Sequence, residues 1–177
     1  GAADKLAGAT LPSRSTDHVG FTLRQPLGVC ALIIAWNVPA VLMMADAAPA
    51  LAAGNAVVLK PSEHAPMSPL GIAALAQEAG LPDGLLNVLP GFGNEVGVPL
   101  TTHPGISHIS FVGSTLTGRA IMRSAAENLT PVKLELGGKS PNVVFADADL
   151  DLAVDTIVES ITENAGQNCY AGSRLLV

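Results

Sequence analysis

From position 28 onward, short apolar runs alternate with longer stretches in which apolar residues recur every three or four positions. The runs at 29–34, 56–59, 86–89, 106–111 and 132–136 are rich in Val, Ile, Leu and Ala. Such short, continuous runs suit strands covered on both faces. The stretches between them, at about 39–53, 68–80, 93–101 and 115–127, have the length of helices. Strands alternating with helices of this size require crossover connections, so the pattern predicts an α/β fold with a mainly parallel sheet and flanking helices. Gly80-Leu81-Pro82-Asp83-Gly84 reads as a helix stop followed by a turn.

Both ends of the chain read differently. Residues 11–18 are polar and turn-rich, and 19–24 follow as an extended segment, so 1–27 reads as a short helix end and then a hairpin with little core of its own. At the other end a strand is expected over 142–145, and Asp147 and Asp149 favour a helix N-terminus after it. Leu150, Val154, Ile157 and Ile161 then mark one helical face. That helix should stop near Asn164-Ala165-Gly166, which leaves Cys169 on a loop, and 174–177 begins a further strand.

Composition narrows the function classes. Aromatic residues make up only 3% of the 177, so the core must be built from aliphatic side chains. The net charge of −6 with no basic run argues against nucleic acid or an anionic membrane as partner. The most apolar stretch, 29–53, is broken by Trp36-Asn37-Val38-Pro39, Asp46 and Pro49, so it offers no uninterrupted membrane span. No basic segment followed by an apolar one marks a secretory signal. Two cysteines make no disulfide framework; Cys30, inside a strand run, reads as an inert buried thiol. A reducing cytoplasm is the expected location.

Candidate chemistry concentrates in two places. Gln167-Asn168-Cys169 sets a thiol on a glycine-flanked polar loop, where it is either a nucleophile or an ordinary loop cysteine. Glu135, within the run 132–136, is either a surface strand residue or a buried carboxylate suited to general base work. Gly113-Ser114-Thr115-Leu116-Thr117-Gly118 can be a plain strand-to-helix turn or a phosphate-binding one. Lys60-Pro61-Ser62-Glu63 can hold ribose hydroxyls or form a surface charge pair. Asn37 can donate to an oxyanion or serve the turn. The four histidines (His18, His64, His103, His108) show no ligand spacing, and no metal is assigned.

Taken together, Leu134-Glu135-Leu136-Gly137-Gly138-Lys139-Ser140-Pro141 and Gly166-Gln167-Asn168-Cys169 resemble the two signatures of the aldehyde dehydrogenase superfamily. Pro26-Leu27-Gly28-Val29, Trp36-Asn37-Val38-Pro39, Ala50-Leu51-Ala52-Ala53-Gly54-Asn55, Lys60-Pro61-Ser62-Glu63 and Phe111-Val112-Gly113-Ser114-Thr115 follow the same family order. The resemblance implies NAD(P)-dependent oxidation of a small-molecule aldehyde to a carboxylic acid. Cys169 would attack the carbonyl, Asn37 and the Cys169 backbone N–H would stabilise the oxyanion, and hydride would pass to the nicotinamide. Glu135 would then activate the water that hydrolyses the thioester, which sets the chain apart from the coenzyme A-acylating branch. Lys60 and Glu63 match positions that hold the adenosine ribose, Gly113 and Ser114 match the pyrophosphate contact, and Gly93 lies near the adenine side. The other cofactor positions implied are Ile34, Ala35, Trp36, Ser62, Phe111, Gly118, Leu136 and Gly137. Glu63 would compete with a 2′-phosphate, so NAD is favoured over NADP.

The chain departs from the family pattern at Ala35, where proline is usual, at Val38, where phenylalanine is common, and at Val112, where threonine is common. Its length also departs, so it is expected to be a central piece of a longer protein. The expected organisation is the end of an N-terminal helix and an oligomerisation-type bridging hairpin over 1–27, a Rossmann-like NAD-binding domain over 28–137, and the first segment of an α/β catalytic domain over 138–177. The parent protein would be a homodimer or homotetramer. The competing expectation for these residues alone is a nucleotide-binding module without turnover.

Overall fold

The computed structural model describes residues 3–177. A single turn at Ala3–Lys5 precedes two short strands, β1 (Thr10–Leu11) and β2 (Gly20–Phe21), which pair antiparallel. The regular part follows as β3 (Val29–Ile33), α1 (Pro39–Ala52), β4 (Ala56–Lys60), α2 (Met67–Glu78) and β5 (Leu86–Val88). A π-helical turn at Gly93–Gly97 then runs into α3 (Val98–Thr102), β6 (His108–Gly113), α4 (Thr115–Ala126) and β7 (Val132–Leu136). Strands β3 to β7 form one parallel sheet in the order β5-β4-β3-β6-β7. The chain builds outward from β3 to β5, then returns to the other side of β3 to place β6 and β7. That reversal leaves a crevice beyond the carboxyl ends of β3 and β6, because the connections on the two sides leave in opposite directions.

The three central strands, β3, β4 and β6, bury both faces, as their apolar runs demand, whereas one face of β5 and β7 is open. Cys30, Leu32 and Ile34 point to one side and pack with Met43 and Ala47 of α1 and Val57 and Leu59 of β4. Ala31, Ile33, Ile109 and Phe111 point to the other side, under Leu100 of α3 and Ile121 and Ala125 of α4. Leu32, Met43, Leu59, Ile109 and Val57 are fully buried, each contributing about 1.5–3 kcal/mol relative to exposure.

Local chemistry sets the element ends. Helix α1 stops at Gly54, whose φ of +85 is the left-handed conformation that closes a helix, with Gly54 N–H donating to Leu51 O and Asn55 N–H to Ala50 O. The buried Asn55 side chain then accepts from the Leu27 and Gly28 amides at 2.7 and 3.0 Å and donates to Ala50 O. It thereby fastens the start of β3 to the end of α1. Ser114 caps α4, accepting from Thr117 N–H, and Asp149 caps the helix that begins at Leu150.

The helix expected at 93–101 is split into the π turn and α3, and β6 starts at His108 because Ile106 N–H donates to His103 O instead of to a strand. After β7 come β8 (Pro141–Val143), α5 (Leu150–Thr162), a turn at Glu163–Gly166, and β9 (Arg174–Leu176), which pairs parallel with β8. The apolar face read on α5 is mostly uncovered among these residues. Leu150, Val154 and Ile161 are exposed, whereas Ala153, Ile157 and Ser160 are the half-buried positions. Asn142 Nδ2 donates to Ser160 Oγ at 3.0 Å and to Gly172 O at 3.1 Å, and these bonds fix the helix rotation.

Candidate active site

The crevice at the strand ends is a cleft of about 520 Å³ between the loops after β3, β4 and β6 and the first turns of α3 and α4. Its lining brings together ten of the expected cofactor positions: Ile34, Ala35, Trp36, Lys60, Ser62, Glu63, Gly93, Phe111, Gly113 and Ser114. Gly118, Leu136 and Gly137 lie outside that lining. A Cβ on Gly118 would stand 2.9 Å from Leu136 Cδ2, so these two residues serve the packing of α4 on β7. The cleft also contains residues the sequence reading passed over, among them Asn94, Thr101, Thr117, Ala120, Ile121 and Ser124. The signal for the last four was available: 117, 120, 121 and 124 fall on one helical face beginning at the Ser114 cap.

Lys60 is the cleft's buried cation. Its side chain is only 4% exposed, and Nζ donates to Pro61 O at 2.9 Å and stands 3.7 Å from Glu63 Oε2. Burial of a lone ammonium is costly, and the carbonyl and carboxylate offset that cost while leaving donor capacity. Glu63 is held below the ordinary carboxylate range, first by the hydrogen bond from its own backbone amide, then by the charges of Lys60 and His64. On the far wall, the Ser114 hydroxyl takes up the Thr117 amide, while the Thr115 and Leu116 amides have no intrahelical acceptor. A cation with a carboxylate on one side and free helix amides on the other suit a ligand carrying both hydroxyls and phosphates. A dinucleotide fits these donors and acceptors.

Beside the cleft, Trp36 leads into Asn37, and Asn37 reaches across 130 positions of sequence to the thiol's loop. Asn37 Nδ2 donates to Gln167 O at 2.7 Å, and Asn164 Nδ2 donates back to Asn37 O at 3.3 Å. Cys169, two residues on, is a half-buried free thiol. Its backbone N–H donates to no protein acceptor among the described residues. The loop turns through Asn164 and Ala165 at φ 48 and 56, a conformation that non-glycine residues adopt at a cost. Further on, Gly172 lets the backbone pass where any side chain would strike Ser160 Oγ and Asn142 Nδ2.

Glu135 sits near the end of β7, where a position facing α1 alternates with Leu134 and Leu136 facing α4. Among the 177 residues its carboxylate is exposed. The turn that follows β7 lies against the thiol's loop. A Cβ on Gly138 would be 3.2 Å from Cys169 O, and Arg174 Nε donates to Lys139 O at 2.7 Å. Glu135 and Cys169 make no hydrogen bond with each other. On the same sheet face, Asp46 of α1 accepts from Ser110 Oγ at 2.6 Å and pairs with Lys133. Nearby His108 has its Nδ1 buried without a partner, and burial holds its pKa below the ordinary 6.5 against the charge of Asp46. Among the described residues, no group of three or more His, Cys, Asp or Glu side chains could hold a metal, and no helix is long and apolar enough to cross a membrane.

The sequence model of the aldehyde dehydrogenase family matches residues 1–177. The chain belongs to that family. Retinal dehydrogenase 2 of Gallus gallus is 50% identical over 178 residues, an alignment that covers all of this chain and 34% of that protein. Among solved structures, the NAD+ complex of an aldehyde dehydrogenase from Bacillus cereus superposes with a TM-score of 0.92 at 46% identity, covering 98% of this chain and 35% of that one. An NADP dependent enzyme of E. coli superposes with a TM-score of 0.96 at 44% identity, covering 98% and 36%. The chain thus spans about a third of the length of the relatives it matches.

Proposed function

We propose that the protein to which these residues belong oxidises an aldehyde to a carboxylic acid through a covalent intermediate on Cys169. The observation that carries this reading is the pair of bonds joining Asn37 to the Gln167 and Asn164 segment, which ties an amide donor to the loop bearing the thiol. In this mechanism the Cys169 thiolate adds to the carbonyl carbon. The resulting oxyanion accepts hydrogen bonds from the Cys169 N–H and from the second Nδ2 hydrogen of Asn37. One such donor contributes about 3–4 kcal/mol to transition-state stabilisation. When bound, NAD supplies the hydride acceptor that converts the thiohemiacetal to a thioester. Glu135 then takes a proton from a water that attacks the thioester, releasing the acid and regenerating the thiol.

For the cofactor, Lys60 and Glu63 are the ribose contacts in this reading, and Ser114 with the first amides of α4 the phosphate contact. Ile34, Ala35, Trp36, Ser62, Gly93, Phe111 and Gly113 complete the lining. Glu63 favours NAD over NADP, because an ionised carboxylate repels a 2′-phosphate. Residues 28–137 would be the cofactor-binding unit and 138–177 the beginning of a catalytic one. The apolar residues exposed around β1 and β2, including Val19, Phe21 and Leu23, support a bridging role for 1–27 in a homodimer or homotetramer. A cytoplasmic location suits the free thiols.

The test is NADH production by the full-length protein on an aldehyde panel, abolished in Cys169→Ala. Turnover that survives this substitution overturns the proposal. For the 177 residues alone a second reading applies, a nucleotide-binding module without turnover, because no residue of α5 is buried. NAD binding by this piece without NADH formation supports that reading.

A further inference from the structure

Asp46 is the only charged residue between Val29 and Ala53, and it has no part in the chemistry above. Its helix, α1, begins two residues after Asn37 and rests Met43 and Ala47 on Cys30, Leu32, Val57 and Leu59 of β3 and β4. Among the described residues, that apolar cluster takes nothing from β6 or β7. Asp46 makes the connection instead. Its side chain is only 9% exposed; Oδ2 accepts from Ser110 Oγ of β6 at 2.6 Å, and Oδ1 accepts from Lys133 Nζ of β7. Ser110 is itself buried, so the carboxylate also satisfies a hydroxyl that water does not reach.

The segments bridged in this way carry two groups of the proposed reaction. Lys133 and Glu135 alternate with Leu134 and Leu136, so they leave β7 on the same face, one strand repeat apart. The pairing of β6 with β7 sets Lys133 opposite Ser110 and Glu135 opposite Val112. Asp46 therefore grips two residues that face each other across this ladder, one step before the base, and fastens them to the helix behind Asn37. Hydrogen bonds to an ionised carboxylate are roughly twice as strong as neutral ones, which suits a brace made of two contacts. Asn37 keeps its own bond to Gln167 O, so its placement beside the thiol's loop does not pass through Asp46.

We propose that Asp46 is a positioning residue for the hydrolytic half of the reaction: by tying α1 to β6 and β7, it fixes the separation between the Asn37 amide and the Glu135 carboxylate. The inference rests on the proposed oxidation at Cys169 and gives that reaction a further residue. In the hydrolytic half, the water oxygen joins the thioester carbon as its proton passes to Glu135, Asn37 donates to the oxyanion formed, and the C–S bond then breaks. Both groups must meet one carbon. In the first half only Asn37 and Cys169 are needed.

The experiment follows NADH release by the full-length protein, comparing the first-turnover rate with the steady state at saturating NAD and aldehyde. Asp46→Ala should slow the steady state about tenfold to a hundredfold, the cost of a misplaced reacting group, and leave the first turnover close to wild type. Asp46→Asn keeps an acceptor for both partners and should restore most of the rate. Lys133→Met, at a largely exposed position, should show the same pattern at smaller size, and it decides the matter where Asp46→Ala does not fold. In a Glu135→Gln background, which already lacks the base, adding Asp46→Ala should change the residual rate about twofold or less. An equal loss in both phases, or the same loss in both backgrounds, would mean that Asp46 only stabilises the fold and would overturn the inference. Unchanged steady turnover in Asp46→Ala and Lys133→Met would overturn it as well. Oxidation at Cys169 survives each of these results; it falls only where Cys169→Ala still turns over or the wild type makes no NADH, and the inference then falls with it.

Discussion

Lys60 and Cys169 stand at opposite ends of the candidate site, and different forces fix them. Lys60 ends a strand whose register is locked by pairing on both sides, β4 lying between β3 and β5, and its side chain is almost wholly buried. Cys169 lies on a loop with little buried surface, held by hydrogen bonds from Asn37, Asn164, Asn142 and Arg174 to groups far away in sequence. Bonds of this kind contribute about 0.5–1.5 kcal/mol each. The Lys60 end of the proposed site is therefore set by the sheet, whereas the geometry of the thiol depends on a few polar side chains.

The largest expected effect tests the chemistry at the loop end. Glu135→Gln in the full-length protein should give a single burst of NADH and then stall at the thioester, with steady turnover almost lost. Unchanged steady-state turnover would remove Glu135 from the mechanism. Asn37→Ala comes next, because it removes both the oxyanion donor and a tie to the loop. It should lower kcat about 10²- to 10³-fold while leaving NAD affinity close to that of the wild type. A comparable loss of NAD affinity would show that the two ends are not independent.

Lys60→Met probes the opposite end with a smaller effect. The apolar stem is kept and the ammonium removed, so NAD should dissociate about tenfold more readily, measured by fluorescence titration, while kcat at saturating NAD changes little. The mildest test concerns the sheet beneath. His108 is held neutral in the folded state, so its contribution to stability is complete above pH 6.5 and is lost as the pH falls from there toward its lowered folded value. The melting temperature should decline over that window in the wild type and decline less in His108→Leu. Parallel curves for the two proteins would rule out His108 as the cause.

The central strands were legible because a strand covered on both faces has to be apolar along its length, and the outer strands near 86 and 132 because their apolar positions alternate with exposed polar ones. The cleft lining was named through the family resemblance, and the fold gathers it because residues that follow parallel strands collect at one edge. Other features depend on neighbours that come from distant sequence. Gly118 and Leu136, expected as cofactor contacts, pack against each other between α4 and β7, outside the cleft lining. Periodicity on α5 marked Leu150, Val154, Ile157 and Ile161 as one face; of these Ile157 is half-buried, as is Ser160, which Asn142 binds. Glu135 read equally well as buried or exposed, since an apolar flank says nothing of which side of an edge strand a carboxylate takes.

Pattern alone was enough for the strand count and the parallel connections, since periodicity is a local property carried by every copy of the chain; the thiol, amide and carboxylate were singled out by the family resemblance. The strand order that opens a crevice between β3 and β6, the reach of Asn37 to the thiol's loop, and the bridge from Asp46 to β6 and β7 came from the folded molecule. Those arrangements depend on which distant segments pack together, and no window of neighbouring residues encodes a contact made across 130 positions.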